Sequence, residues 1–222
     1  MDFFTKSEQE ILLKAKNIIV GFSGGADSTL ALYATNEFLK SHNAANRLTA
    51  IYVDHQAQTS STDWLNHCES FCATHAIEFK AVQVEINQTG QGFEAAARSA
   101  RQEIFNAYED GTAIILGHHM DDQVETVFFR VLRGTGLKGL TGMQRHLTSK
   151  GKDLIRPLLN ISKDEILKYA AINKLEFIED KSNQDNTYSR NFLRNKVIPT
   201  IMDRWPGAKK NTARMANLLS KQ

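Results

Sequence analysis

Ser23-Gly24-Gly25-Ala26-Asp27-Ser28 sets two glycines and an acid between hydroxyls, directly after the apolar run Asn17-Ile18-Ile19-Val20-Gly21-Phe22. If the run is a strand and the motif opens a helix, backbone N–H groups and the positive end of the helix dipole converge on one point and make an anion site. Gly24 and Gly25 permit backbone conformations and a close approach that a Cβ blocks, while Ser23 and Ser28 add hydroxyl donors. No lysine follows in the Gly-Lys-Ser/Thr form, so the loop is not of the kind that serves γ-phosphate transfer. Asp27 is what a ligand-free, capped turn does not explain. A carboxylate aimed at phosphates is repulsive unless a cation bridges the two, which points to Mg²⁺ at Asp27.

A second group of reactive residues follows another apolar run, Ala113-Ile114-Ile115-Leu116-Gly117. It reads His118-His119-Met120-Asp121-Asp122-Gln123-Val124-Glu125-Thr126. Asp122 and Glu125 are three apart at the start of a helical pattern and share one face. Their plainer roles are helix capping for Asp121 and Asp122 and a surface ion pair of Glu125 with Arg98. Zinc on His118 and His119 is disfavoured, because adjacent positions after a strand point opposite ways. His55, at the end of another apolar run, either lines the rim of the nucleotide site or satisfies a turn. Cys68 and Cys72 are four apart in a helical stretch without further cysteine partners, and read as two buried thiols.

The elements that must hold these groups alternate. Asn17–Phe22, Leu48–Val53, Phe79–Val84 and Ala113–Gly117 are short and rich in β-branched residues, as strands of a parallel sheet buried on both faces are. Ser28–Leu39, Thr62–His75, Phe93–Tyr108 and Gln123–Leu132 carry apolar residues at three- and four-residue spacing, as helices do. Right-handed crossovers then give an α/β fold, a doubly wound, mainly parallel, Rossmann-like sheet that binds ligands beyond the C-terminal ends of its strands. The glycine-dense stretch Gly134–Gly142 reads equally as a surface loop and as a mobile segment near the site. After Pro157 the pattern turns helical over Ser162–Asn173, where Ser162 and Glu165 form a capping box, and Tyr188–Ile201, with a last helix beyond Pro206. The expected division is a nucleotide-binding unit over residues 1–150, extended by a strand to about 159, and a small basic helical segment over 160–222. From Asn186 onward Arg190, Arg194, Lys196, Arg204, Lys209, Lys210, Arg214 and Lys221 face a single acid, Asp203.

Ser-Gly-Gly-x-Asp-Ser resembles the ATP-pyrophosphate-loop superfamily (PP-loop, N-type), whose members cleave ATP between the α- and β-phosphates and adenylate an oxygen. Read together, Val53-Asp54-His55, Glu94-Ala95-Ala96-Ala97-Arg98, the Gly117–Thr126 segment, Ile155-Arg156-Pro157-Leu158-Leu159 and Glu179-Asp180-Lys181-Ser182-Asn183 with Arg190-Asn191 look like the tRNA(Ile)-lysidine synthase family. The resemblance runs from about Ile18 to Pro199. Gln56 departs from the family's usual glycine, and Gln102 from its usual aromatic. The resemblance implies a ligase that adenylates C2–O2 of the wobble cytidine in an isoleucine tRNA with a CAU anticodon and lets the amine of free L-lysine displace AMP. By the same resemblance Ser23, Gly24, Gly25, Ala26, Asp27, Ser28, Val53, His55, Gly117 and His118 hold ATP, and Asp27 and Asp121 hold Mg²⁺. Asp27, Asp122, Glu125 and Arg98 are the catalytic set, with Asp122 and Glu125 complementing the amines of lysine. Arg98 takes the lysine carboxylate or the α-phosphate. Arg156, Arg190 and Arg194 are candidates for holding the anticodon loop of the tRNA.

Rival readings are a tRNA 2-thiolation enzyme, a small-carboxylate adenylating synthetase of the same superfamily, and a non-catalytic nucleotide- or RNA-binding module. Asp27 argues against the last. The cysteine pair lies away from every strand end and argues against the first. Met1–Lys16 is amphipathic and charged rather than a secretion signal, and no apolar run approaches the roughly 20 residues of a membrane span, so the cytoplasm is the expected compartment with no membrane partner. The family usually carries further C-terminal domains that grip the tRNA, so a chain stopping at Gln222 reads as truncated or as a short form. A homodimer is compatible with the sequence.

Overall fold

The computed structural model describes residues 2–54, 61–84, 93–180 and 184–221, with backbone alone at 61, 62 and 93–95. In chain order the elements are α1 (Lys6–Lys14), β1 (Ile18–Gly21), α2 (Ala26–Ser41), β2 (Leu48–Asp54), α3 (Ser61–Thr74), β3 (Glu78–Gln83), α4 (Phe93–Asn106), β4 (Ala113–Ile115) and α5 (Met120–Leu132). Then come α6 (Leu137–Leu140), β5 (His146–Ser149), β6 (Lys152–Ile155), α7 (Lys163–Ile172), α8 (Ser189–Phe192), a π-helical turn Leu193–Val197, α9 (Ile198–Arg204) and α10 (Ala208–Leu219).

One sheet runs β3-β2-β1-β4-β6-β5, parallel throughout except for the antiparallel edge strand β5. β1 continues to β2 and β3 on one side, while β4 returns to its other side. The chain therefore diverges at the C-terminal ends of β1 and β4, where doubly wound sheets open a ligand crevice. Strict alternation divides the strands between two cores. Ile18, Val20, Ala50, Ile115 and Ile155 face the larger one with Leu12, Leu30, Leu39, Phe71 and Ile166. Ile19, Ile51 and Ile114 face Phe105 and Ile104 of α4. The α/β expectation is met, with helices on both faces, but β3, expected to be buried on both faces, is a largely exposed edge strand.

Three features go beyond the sequence pattern. β5 and β6 form a hairpin through Lys150-Gly151, whose φ angles of 49° and 69° fit the two-residue turn that matches strand twist. β5 is exposed along its whole length, so its side chains carry no apolar alternation to announce it. α1 opens with a Thr5–Glu8 capping box, and buried Glu8 receives Arg145 in a two-point contact of 2.8 and 3.0 Å. The single helix expected over Tyr188–Ile201 is interrupted by the π turn. Pro199, near the start of α9, has no N–H to donate back along the helix, which accounts for a change of hydrogen-bond register there. α7 joins the larger core through Ile166 and Ala170 and packs on α2.

Candidate active site

The loop after β1 is held by its own residues. Gly24 sits at φ +76°, and a Cβ there would lie 2.9 Å from Cys68 Sγ. Ser28 is buried; its Oγ accepts from the Ser23 N–H at 3.1 Å and donates to the Gly25 carbonyl at 3.0 Å. Ser28 thus staples the loop and also accepts from the hydroxyl of exposed Ser23 at 3.1 Å. Gly25 caps α2 without any side-chain hydrogen bond, which leaves first-turn N–H groups as donors. The Ile178 N–H donates to the Gly24 carbonyl at 2.9 Å and lays the segment carrying Glu179 and Asp180 beside the loop. Gly117 approaches from β4: a Cβ on it would be 2.8 Å from the Asp27 carbonyl oxygen and 2.9 Å from the Ser28 nitrogen.

Asp27, Asp121, Asp122 and Glu125 converge around His119, the N-cap of α5. The His119 Nε2 lies 3.6 Å from Asp27 and 3.4 Å from Asp122, and its Nδ1 takes the Asp121 N–H at 3.2 Å and lies 3.6 Å from the Asp121 carboxylate. Burial works against a charge on this ring, but Asp121, Asp27 and Asp122 outweigh it and push its pKa up to about 10. When the ring takes its second proton, Nδ1 must exchange the Asp121 amide for the Asp121 carboxylate. Three more cations complete the network. Lys163 Nζ meets Asp27 at 2.6 Å, Lys209 pairs with Asp121, and Arg194 grips Glu125 at 2.6 and 2.9 Å and reaches Asp122 at 3.3 Å. Burial pulls the Asp27 pKa up, yet His119 and Lys163 hold it below its ordinary value. Asp121 is likewise held well down against burial, by His119 and Lys209. Glu125, 2% exposed, goes the other way: burial raises its pKa despite Arg194.

His118 sits behind this cluster. Burial drops its pKa to about 4 against the pull of Asp122, with Arg156, Arg101 and Arg98 adding to the drop, so the ring is neutral and its Nδ1 accepts from Arg156 Nε at 3.2 Å. Arg156 differs from the surface RNA contact expected of it. It is 6% exposed and donates to the Gln144 carbonyl at 2.6 Å, and burial together with Arg98 lowers its pKa to about 10. It therefore braces His118 from inside. Arg194 also departs from an outward-facing role, since its guanidinium lies in the Asp122–Glu125 pair. Glu125 meets Arg194 in place of the Arg98 considered from sequence. Arg98 and Arg190 line a neighbouring cavity. Val53 is half-buried at the end of β2, and His55 and Lys181-Ser182-Asn183 lie outside the described residues. Lys163 had no sequence signal, and Lys209 none beyond its place in the basic tract, because each reaches the site from a helix distant in sequence.

The sequence profile of the family described as the PP-loop domain matches residues 2–201. This chain belongs to the PP-loop family. Among curated relatives, the tRNA(Ile)-lysidine synthase of Legionella pneumophila (strain Paris) is 40% identical over 206 residues, which cover 92% of this chain and 47% of that protein. The enzyme of the same name from Escherichia coli O157:H7 is 38% identical over 212 residues, 95% and 49% of the two chains. The chain thus spans about half the length of the curated relatives it matches. Among solved structures, the U34-tRNA thiolase NcsA of Methanococcus maripaludis, with its 4Fe-4S cluster, superposes with a TM-score of 0.74 at 22% identity over 97% of this chain and 78% of that one. The NH3-dependent NAD synthetase of Campylobacter jejuni gives 0.53 at 16% identity, over 96% and 92%. At these identities both speak for the fold alone.

The PP-loop is thus an ATP-binding loop, and its groups fit a nucleotide: unpaired first-turn amides, an exposed serine and a carboxylate held ionised. Among the described residues no three His, Cys, Asp or Glu side chains gather as a metal cage. One carboxylate beside phosphate-binding amides suits instead a hard cation that completes its shell with phosphate oxygens and water. Cys68, 0% exposed, packs directly beneath Gly24 of the PP-loop, so the pair does not lie away from every strand end as the sequence suggested; Cys72, 1% exposed, lies one turn further along α3, and burial pushes both thiols up to about 12.

Proposed function

We propose that this chain carries the adenylation and lysine-transfer site of a tRNA(Ile)-lysidine synthase. The observation that carries the reading is the placement of a second, acidic pocket, Asp122 and Glu125, immediately beside the PP-loop and already filled by a cation of the protein itself, Arg194. A site that welcomes a guanidinium there has the charge to hold the amines of a diamino acid. Ser23–Ser28 would hold the phosphates of ATP, with Val53, Gly117 and His118 as further contacts. Magnesium at Asp27, with Asp121 near, would neutralise charge on the phosphates. The wobble cytidine O2 attacks the α-phosphate, the bond to the β-phosphate breaks, and pyrophosphate leaves. The lysine amine then attacks C2, the C2–O2 bond breaks with AMP as leaving group, and the amine gives up a proton. Glu125, whose pKa burial raises, is suited to receive it. An unpaired anticodon base can be splayed out and read on its edge, so selection of one cytidine is within reach of such a site. The cytosol is the compartment this reading implies.

Thiolation, the activity named for the superposed Methanococcus maripaludis protein, is disfavoured by the buried cysteines. A sulfur carrier or iron–sulfur ligand acts as an accessible thiolate, and Cys68 and Cys72 are buried thiols. The deciding experiment supplies α-labelled ATP, Mg²⁺, lysine and an isoleucine tRNA transcript with a CAU anticodon, and measures AMP and lysine incorporated. Incorporation requiring all four components is expected. ATP turnover with no lysine in the RNA would reject lysidine formation, and undiminished turnover in Asp27→Ala would reject the magnesium role.

A further inference from the structure

We infer that a second cavity, on the far side of the acid pair along α5, seats backbone phosphates of the RNA. The cavity measures about 520 Å³, within the range of ligand sites. Its walls carry Arg98 from α4, Thr126, Phe129, Arg130 and Arg133 from α5, and Arg190 from α8. No acid is among the described residues lining it. Among the described residues Arg98, Arg133 and Arg190 take part in no ion pair, although the acidic network lies close by. Arg130 has a structural duty, donating to the Gly139 and Gly142 carbonyls at 3.0 and 2.9 Å and thereby fixing the 134–142 loop as one wall. Burial, then Arg190 and Arg130, depress the Arg98 pKa, as happens where like charges converge without a counter-ion.

The number and the spacing of these cations select the ligand. A lysine carboxylate needs one guanidinium, and three uncommitted ones ask for a polyanion. Asp122, Thr126, Phe129 and the C-cap Arg133 follow each other along one face of α5, and the eleven residue steps from Asp122 to Arg133 span about 16 Å. A ligand that engages both ends must present anions well away from its reacting atom, as a nucleotide chain does and a free amino acid does not. Arg133 also stacks on Phe129, 5.2 Å from the ring centroid, so the wall offers a planar face beside its charges, the combination that tracks single-stranded nucleic acid. This inference rests on the proposed RNA substrate and names where its backbone is held.

The test titrates a fluorescently labelled anticodon stem–loop RNA bearing CAU into the full chain over a salt series, by anisotropy, for wild type, Arg133→Ala, Arg190→Ala and Arg133→Lys. Loss of one charge-assisted contact should weaken RNA binding about tenfold in each alanine variant and reduce the slope of log K against log salt by about 0.7. Arg133→Lys, which keeps the charge, should recover most of the slope. Pyrophosphate and ATP, titrated as the other phosphate sources, should bind wild type and Arg133→Ala alike, because their seat is the PP-loop. RNA affinity and slope unchanged in both alanine variants, no RNA binding by wild type, or pyrophosphate binding lost in Arg133→Ala would each overturn the inference. Arg133-dependent RNA binding without lysine incorporation would leave the seat standing and remove the lysidine reading. Incorporation with RNA binding indifferent to Arg133 and Arg190 would do the reverse.

Discussion

Gly117 has no room for a side chain, and the atoms it would strike are backbone atoms of the first turn of α2, which cannot rotate away. Gly117→Ala should displace the PP-loop or the end of β4, costing about 1 to 3 kcal/mol in a urea titration and at least about tenfold in ATP affinity. Unchanged ATP binding in a folded variant would mean that the loop tolerates the shift. The resemblance singled out Gly117 as an ATP contact but not for this reason, since only the approach of two elements reveals the packing. Gly24, by contrast, could be read directly, because a phosphate loop asks for left-handed backbone at such a position. The thiols beneath it make a second residue-scale prediction. Cys68 and Cys72 have ordinary values of 9.0 raised to about 12 in the folded chain, so iodoacetamide should leave both unmodified at neutral pH until the protein unfolds. The stability they contribute is fully present below pH 9 and is lost as pH rises toward 12, because the unfolded chain releases their protons first, by up to about 1.4 kcal/mol per unit for each thiol. Rapid labelling of the native chain would contradict this burial.

α5 is the element on which the two halves of the site meet: acids and His119 at its N-terminus, arginines toward its C-terminus. Its sequence announced the amphipathic pattern and the acids, yet not the closing turn, where Gly134 at φ +74° accommodates a Thr135 N–H to Arg130 carbonyl bond. The buried parallel strands were legible because apolar β-branched runs have few other uses. β5 was not, because its side chains face solvent and its place is fixed by backbone pairing with β6. α1 anchors that same edge. Glu8, 2% exposed, holds Arg145 at the start of β5 and so ties together two elements 137 residues apart. Glu8→Ala should leave the Arg145 guanidinium half-buried without its carboxylate and cost about 3 kcal/mol. ATP affinity should hold within twofold, since neither residue touches the PP-loop. A variant that keeps its urea midpoint would show α1 to be a dispensable appendage.

Across the whole molecule, the C-terminal helices are fastened to the nucleotide-binding sheet through charge as well as packing. The π turn presents Arg194 to Glu125, α10 presents Lys209 to Asp121, and α10 packs along α5. From sequence the basic tract after Asn186 suggested an outer surface for RNA. Two of its cations instead face inward, because a cluster of four partly buried carboxylates needs counter-charge that nearby sequence does not provide. The strength of that fastening is measurable in a double-mutant cycle. Arg194→Met alone leaves Glu125 buried and uncompensated and should lose about 3 kcal/mol, whereas Glu125→Gln with Arg194→Met removes charge from both sides and should recover most of it. A coupling energy near 2 kcal/mol from urea midpoints at neutral pH is expected. If the cycle closes to zero, the helices over 184–221 rest on the sheet by apolar contacts such as Leu193 and Ala216, and Arg194 is free to leave the acid pair whenever a diamino substrate arrives. A strong coupling means that such a substrate must displace Arg194 against it, so lysine binding would then be set by the difference between two cations competing for one buried pair.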